Sequence, residues 1–260
     1  MISKILSSVA ALCALGAAAI WAAPALAQTA EVKDKPPMYS YVANWAIPRA
    51  GWPELEKGNA ATQKILDKAV AAGVLVGYGD DVNLVHQPDG YTHDNWWSSM
   101  SMAGLLNTLD EIHKAGGAVS TSLNSATKHG DSIYVTRFYN WHAGSWKGAY
   151  SHSGVFKLKP DASSDAVATL SKNVFVPLFE KLLAEGTVVE YEIDVEAIHT
   201  EAPGTFVVFY ITPTAEGIDK ANAALRENSK KNSLIGPALE SMVDFAPHRD
   251  YLSRTNATFK

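Results

Sequence analysis

Residues 73–86 read GVLVGYGDDVNLVH, and residues 186–199 read GTVVEYEIDVEAIH. Laid over one another without a gap, displaced by 113 positions from Gly73 to Gly186, they share Gly, Val, Tyr, Asp, Val and His. Self-similarity at a fixed spacing is read first, because it sets the architecture in which every other residue is placed. The same displacement carries Asp67-Lys68 onto Glu180-Lys181, so the similarity includes the end of the preceding helix. The chain therefore reads as two similar halves.

Within the stretches, apolar residues alternate as they do along a β-strand. In the first, Val74, Val76, Tyr78, Val82, Leu84 and His86 share a face. In the second, Val189, Tyr191, Ile193, Val195, Ala197 and His199 share one face, and Glu190, Glu192, Asp194 and Glu196 the other. The acidic stripe suits the solvated face of an edge strand, with a cation such as calcium as the alternative. Tyr78 and Asp81, like Tyr191 and Asp194, have opposite parity and point to opposite faces unless a bulge intervenes; Gly77 and Gly79 suit a bulge in the first half.

Working outward, residues 38–47 form an aromatic and β-branched strand, and Pro53 with Glu54 starts a helix that Gly73 stops. A turn at Pro88-Asp89-Gly90, a strand over residues 92–100, a helix marked by Leu105, Leu109 and Ile112, and a strand over residues 132–141 complete the order βαββαβ. After a connecting loop at residues 142–150 the order repeats, with Pro177 expected to bend the strongest helical stripe and a final strand near residues 250–259. This is the split arrangement of ferredoxin-like folds. The halves are bounded at residues 38–148 and 149–260.

The first 27 residues read as a signal peptide: Lys4, an apolar run, and Ala25-Leu26-Ala27 before Gln28. The single cysteine, Cys13, lies within it, so a processed chain has no disulfide. Residues 28–37 read as a flexible lead-in. Loss of Lys4 takes the net charge from −5 to −6, which disfavours nucleic acid and anionic membranes as partners. A periplasmic or secreted protein is expected, monomeric or homodimeric, with no membrane insertion after processing.

Two βαββαβ units in one chain resemble a single-chain form of the dimeric α/β barrel superfamily over residues 38–260, together with exported bacterial proteins of undefined function. The resemblance implies that two sheets close into one barrel with helices outside. Members include cofactor-independent monooxygenases, lyases, isomerases, stress-response proteins and haem proteins. The haem branch takes its axial histidine from a helix of the later half, whereas His199 and His248 fall on or beside strands here. Haem is therefore disfavoured, and no cofactor is expected.

A two-fold relation between the halves would bring His86 towards His248 and Asp250, and His199 towards His129 and Asp131. Such clusters suit acid–base chemistry or, more weakly, a metal; nothing resembles a short-spaced ligand motif. The candidate general bases are His93, His86 and His199. The first half alone carries His93-Asp94-Asn95-Trp96-Trp97, and polar groups among indoles suit a pocket for a flat organic molecule. Tyr78, Trp96, Trp97, Tyr191 and Trp141 are the candidate ligand-binding residues.

Three functions stay open at this point. The first is binding of a small hydrophobic or aromatic molecule. The second is cofactor-independent monooxygenase or lyase chemistry with a pocket histidine as base. The third is a scaffold with a filled barrel.

Overall fold

The computed structural model describes residues 33–86, 90–116, 121–200 and 203–260. The expected signal peptide, the first part of the lead-in, and Pro88 and Asp89 of the expected turn lie outside the described residues. Chain order begins with β1 (Met38–Ala46), α1 (Trp52–Ala71), β2 (Gly77–Asn83), β3 (His93–Ser99), α2 (Met102–Lys114), α3 (Thr121–Asn124) and β4 (Lys128–Trp141). It continues with β5 (Gly144–Leu158), α4 (Ala166–Leu170), α5 (Val176–Ala184), β6 (Glu190–Ile198), β7 (Thr205–Thr212), α6 (Ala215–Lys231), α7 (Ile235–Met242) and β8 (Val243–Phe259).

The strands close into a single barrel in the order β1-β3-β2-β8-β5-β7-β6-β4, every neighbouring pair antiparallel. Closure leaves no strand with an unpaired edge. The chain is thus an α+β protein built on a closed eight-stranded barrel. The outer faces of β1, β2, β3, β4, β6 and β7 pack against helices. Tyr41, Tyr78 and Trp97 meet Leu66, Leu105 and Ile112 of α1 and α2, while Tyr191, Ile193, Phe206 and Tyr210 meet Phe179, Leu182 and Ala221 of α5 and α6.

The two quoted stretches behave alike at the level of single bonds. Gly73 and Gly186 end their helices with φ of 73° and 70°, the left-handed conformation glycine adopts without a Cβ clash. Behind them, Val74 N–H donates to Ala69 O and Thr187 N–H to Leu182 O, both at 2.9 Å, so Val74 and Leu75 belong to a helix cap, and sheet bonding begins with Val76 N–H to Ser98 O. This shortens β2 at its start and leaves Val74 exposed; at its other end β2 stops at Asn83, and Leu84 beyond it is exposed as well. The Tyr78 hydroxyl donates to Asp67 Oδ1 at 2.6 Å and the Tyr191 hydroxyl to Glu180 Oε1 at 2.6 Å, each reaching eleven residues back to its helix. Ser101 and Thr214 cap α2 and α6 by accepting from Gly104 N–H and Gly217 N–H.

Other limits depart from the local pattern. β5 starts at Gly144, inside the expected connecting loop, and β8 at Val243 rather than near residue 250. These two strands pair with one another from Gly144↔Phe259 to Leu158↔Val243, and that long-range ladder, not side-chain alternation, sets their length. β2 keeps continuous register with β3 and β8, so it has no bulge. Its glycines make room for aromatic rings instead: a Cβ on Gly79 would lie 2.5 Å from the Trp96 ring and one on Gly77 2.5 Å from Phe259.

The helical stripe that carries Pro177 is interrupted by a π-helical turn at Ser171–Phe175, where Val176 N–H reaches Ser171 O, and Pro177 stands in the first turn of α5. Residues 33–37 run beside β4, held by Lys35 N–H to Arg137 O at 3.0 Å, Lys35 Nζ to Tyr139 O at 2.6 Å, and an Asp34–Lys172 ion pair at 2.8 Å. The described end of the expected flexible lead-in is therefore tied down.

Candidate functional site in the barrel interior

Because the apolar alternate residues of β2, β3 and β6 face the helices, the other alternate set must face inward. On β6 that set is Glu190, Glu192, Asp194 and Glu196, all buried. The reading of this stripe as a solvated edge is corrected: β6 pairs with β4 on one side and β7 on the other, so it has no edge, and its acids point into the barrel. On β2 the inward set includes Asp81 and Asn83, and on β3 Asp94, Trp96 and Ser98.

These side chains surround a cavity of about 690 Å³. Asp81, Asp94, Trp96, Glu192, Asp194 and Phe209 line its inner part, while Tyr91, Asp131, Phe156, Lys157, Thr205 and Asp244 carry it to the barrel end where β4, β7 and β8 begin. Beyond Trp96 and Phe209, a cluster of Ala149, Val189, Ile211, Ala257, Phe259, Trp141 and Trp146 fills the opposite end. Trp96 packs on Phe259 with centroids 5.6 Å apart.

The acids are placed with few donors. Asp81 Oδ2 accepts from Ser151 at 2.6 Å and Glu192 Oε2 from Ser40 at 3.2 Å, with Thr255 and Trp96 also directed at Asp81, whereas Asp194 Oδ1 and both Glu190 oxygens accept no hydrogen bond. Burial pushes the Asp81 carboxyl up to about 6, against the stabilising donation from Ser151. Burial also pushes Glu192 up to about 7, with Asp194 and Ser40 opposing the rise. Glu190, Asp94 and Asp194 are held well above the usual carboxylate range by burial first and by neighbouring carboxylates second.

Of the candidate ligand-binding residues, Trp96 stands in the cavity wall. Trp97 is on the opposite face of β3, stacked on Tyr41 at 4.5 Å with its indole N–H donating to Leu105 O. Tyr78 and Tyr191 also face the helices, because apolar alternation marks the packed face and that face is outside the barrel. Trp141 lies in the aromatic filling, stacked on Tyr139 at 5.6 Å and donating to Lys260 O at 2.9 Å.

No histidine lines the cavity among the described residues. His93 shares the outward parity of Trp97; it contacts Thr92 Oγ1 through Nδ1 at 2.9 Å and meets the Trp52 edge at 4.8 Å. Burial, with a smaller contribution from His86, lowers its pKa to about 4. His86 lies against Trp52, and His199 is exposed beyond β6. His129 stacks on Trp45 and pairs with Asp131 at 3.0 Å. Asp250 meets His248 at 3.2 Å and His152 at 3.5 Å, so the observed partner of that pair is His152. The described residues contain no group of three or more His, Cys, Asp or Glu able to hold a metal.

The acids of the interior were legible in part. Asp81 and Asp194 correspond across the 113-residue displacement, and combining barrel closure with the apolar Tyr191 face would have turned the acidic stripe inward.

No family model matches this chain, and no curated protein does. Solved structures do resemble it in fold. One, named "putative monooxygenase", from Lactobacillus acidophilus, aligns with TM-score 0.62 at 12% identity, over 86% of this chain and 97% of that one. Another of the same name, from Fusobacterium nucleatum, gives 0.57 at 7% identity, over 87% and 95%. A protein named "anthrone oxidase-like" gives 0.53 at 11% identity, over 87% and 92%. With the closed barrel and outer helices, these likenesses give the chain the fold of the dimeric α/β barrel proteins.

Proposed function

We propose that the barrel binds one small organic molecule with hydrophobic or aromatic character. The observation that carries this reading is the cavity of about 690 Å³, within the roughly 300–1,000 Å³ usual for ligand sites, with Trp96, Val207 and Phe209 as apolar wall and a few polar groups among them. A scaffold role would favour a filled interior. Protein purified from its own host is expected to retain a ligand as added mass in native mass spectrometry. Val207→Trp is expected to lose that mass and the uptake of the neutral dye N-phenyl-1-naphthylamine while melting near the parent. Dye uptake unchanged in Val207→Trp would place binding elsewhere and end the proposal.

A second reading, monooxygenase or lyase chemistry without a cofactor, is favoured by Glu192: a cavity carboxylate poised near neutrality can withdraw a proton from a bound carbon acid. The base would then be Glu192 rather than His93, His86 or His199. The names of the structural neighbours point the same way. Oxygen uptake in the presence of anthrone, abolished in Glu192→Gln, is the expected sign; uptake equal in both proteins would exclude that base.

The finer architecture belongs to the same reading: two fused ferredoxin-like units, exported after cleavage near Ala27. What supports the fusion is the matching strand order of the halves, β4-β1-β3-β2 and β8-β5-β7-β6, and the equivalent caps and tyrosine bonds at one displacement. What supports export is the leader pattern of residues 1–27.

A further inference from the structure

We propose, resting on the binding reading above, that the occupant of the barrel is an organic cation: a ring system carrying a protonated amine. Five acidic residues with side chains on the inner side, Asp81, Asp94, Glu192, Asp194 and, at the mouth, Asp244, line the cavity, and Lys157 is the one basic residue among its described lining. Acidity alone would say little on a solvated surface. Here Asp81, Glu192 and Asp194 are only 4%, 5% and 5% exposed, and with Asp94 they stand in the wall of a cavity of ligand size.

The inner acids form two pairs on different strands. Asp81 and Asp94 are direct cross-strand partners on β2 and β3, and Glu192 and Asp194 are alternate residues on one face of β6. Trp96 and Phe209 offer ring surfaces in the same wall, which attract a cation through their π faces. The described acids include no set that could hold a metal ion, whereas the volume suits a molecule. An ammonium group brings up to three N–H donors to carboxyls whose protein donors are few, Ser151, Thr255 and Trp96 at Asp81 and Ser40 at Glu192.

Electrostatics gives the inference a second signature. An ionised carboxylate buried among other carboxylates is costly, so Asp94 and Asp194 stay protonated above the ordinary carboxylate range. A bound ammonium favours the ionised form, and binding must therefore release protons.

Calorimetric titration of the processed chain at pH 7 with 1-naphthylmethylamine, 1-naphthylmethanol and 1-naphthoate tests this. The amine is expected to bind at least about tenfold more tightly than the alcohol, about 1.4 kcal/mol, and the carboxylate not to bind. Repetition in buffers of different ionisation enthalpy is expected to show about one proton released per amine. Asp81→Asn and Asp194→Asn should each lower the amine-to-alcohol affinity ratio; if either fails to fold, proton release by the unmodified chain carries the test. Equal affinity for amine and alcohol, or no proton release, overturns the cation while leaving cavity binding intact. Absence of any heat, together with no displacement of N-phenyl-1-naphthylamine, overturns both. Tighter binding of calcium chloride than of the amine also overturns the organic cation.

Discussion

On acidification from pH 8 to pH 6 the ligand-free protein is expected to become more stable, by about 2 kcal/mol, or roughly 4–8 °C in Tm. The sign follows from the barrel interior. Asp81 titrates at about 6 and Glu192 at about 7 in the folded chain, and Glu190, Asp94 and Asp194 lie well above their ordinary range. Each is raised by burial, so between its unfolded and folded pKa the folded state holds a proton the unfolded state lacks. Stability from these groups is present at low pH and is lost as pH rises through the folded values.

Buried histidines act in the opposite sense, at lower pH. His93 at about 4 and His152, lowered by burial, stay neutral in the fold while the unfolded chain protonates below about 6.5. Their contribution is lost as pH falls below that value. The profile should therefore rise from pH 8 to pH 6 and more gently beneath it. Glu190→Gln, which removes a charge from a side chain 1% exposed, should melt above the parent at pH 8 and together with it at pH 5. Melting curves that are flat or fall on acidification from pH 8 to pH 6 would contradict the ionisation scheme.

Phe179→Ala is expected to cost about 3–5 kcal/mol, the range for removing a buried aromatic ring. Phe179 is fully buried between Tyr191 and Tyr210, with ring centroids 5.4 Å and 5.3 Å away. Its counterpart across the displacement is Leu66 on α1, also buried but without stacked rings. Leu66→Ala should cost less, about 2–3 kcal/mol. Urea denaturation of both variants measures the difference. An equal cost would mean that the two helix layers rely on their equivalent positions to the same degree, and that the stacked tyrosines add nothing.

Much of the fold was readable from local pattern. The helix stops at Gly73 and Gly186 and the opposite parity of Tyr191 and Asp194 follow from backbone conformation and side-chain period, which are properties of a few consecutive residues. The lengths of β5 and β8 did not, because they come from pairing between residues such as Gly144 and Phe259 far apart in the chain. The placement of the histidines failed for the same reason: His93 and Trp97 share a face, but only the packed helices say which face is outside.

By itself, then, the sequence determined which residues alternate together: tyrosines with valine and isoleucine, acids with acids. Tertiary structure decided what the acidic set meets. Once β6 is paired on both sides, a stripe that would lie in water on an open sheet is enclosed, and enclosure raises the cost of its charge. The same residues thereby change from a solubilising surface into the wall of a cavity, because solvent access belongs to the closed barrel and not to the strand.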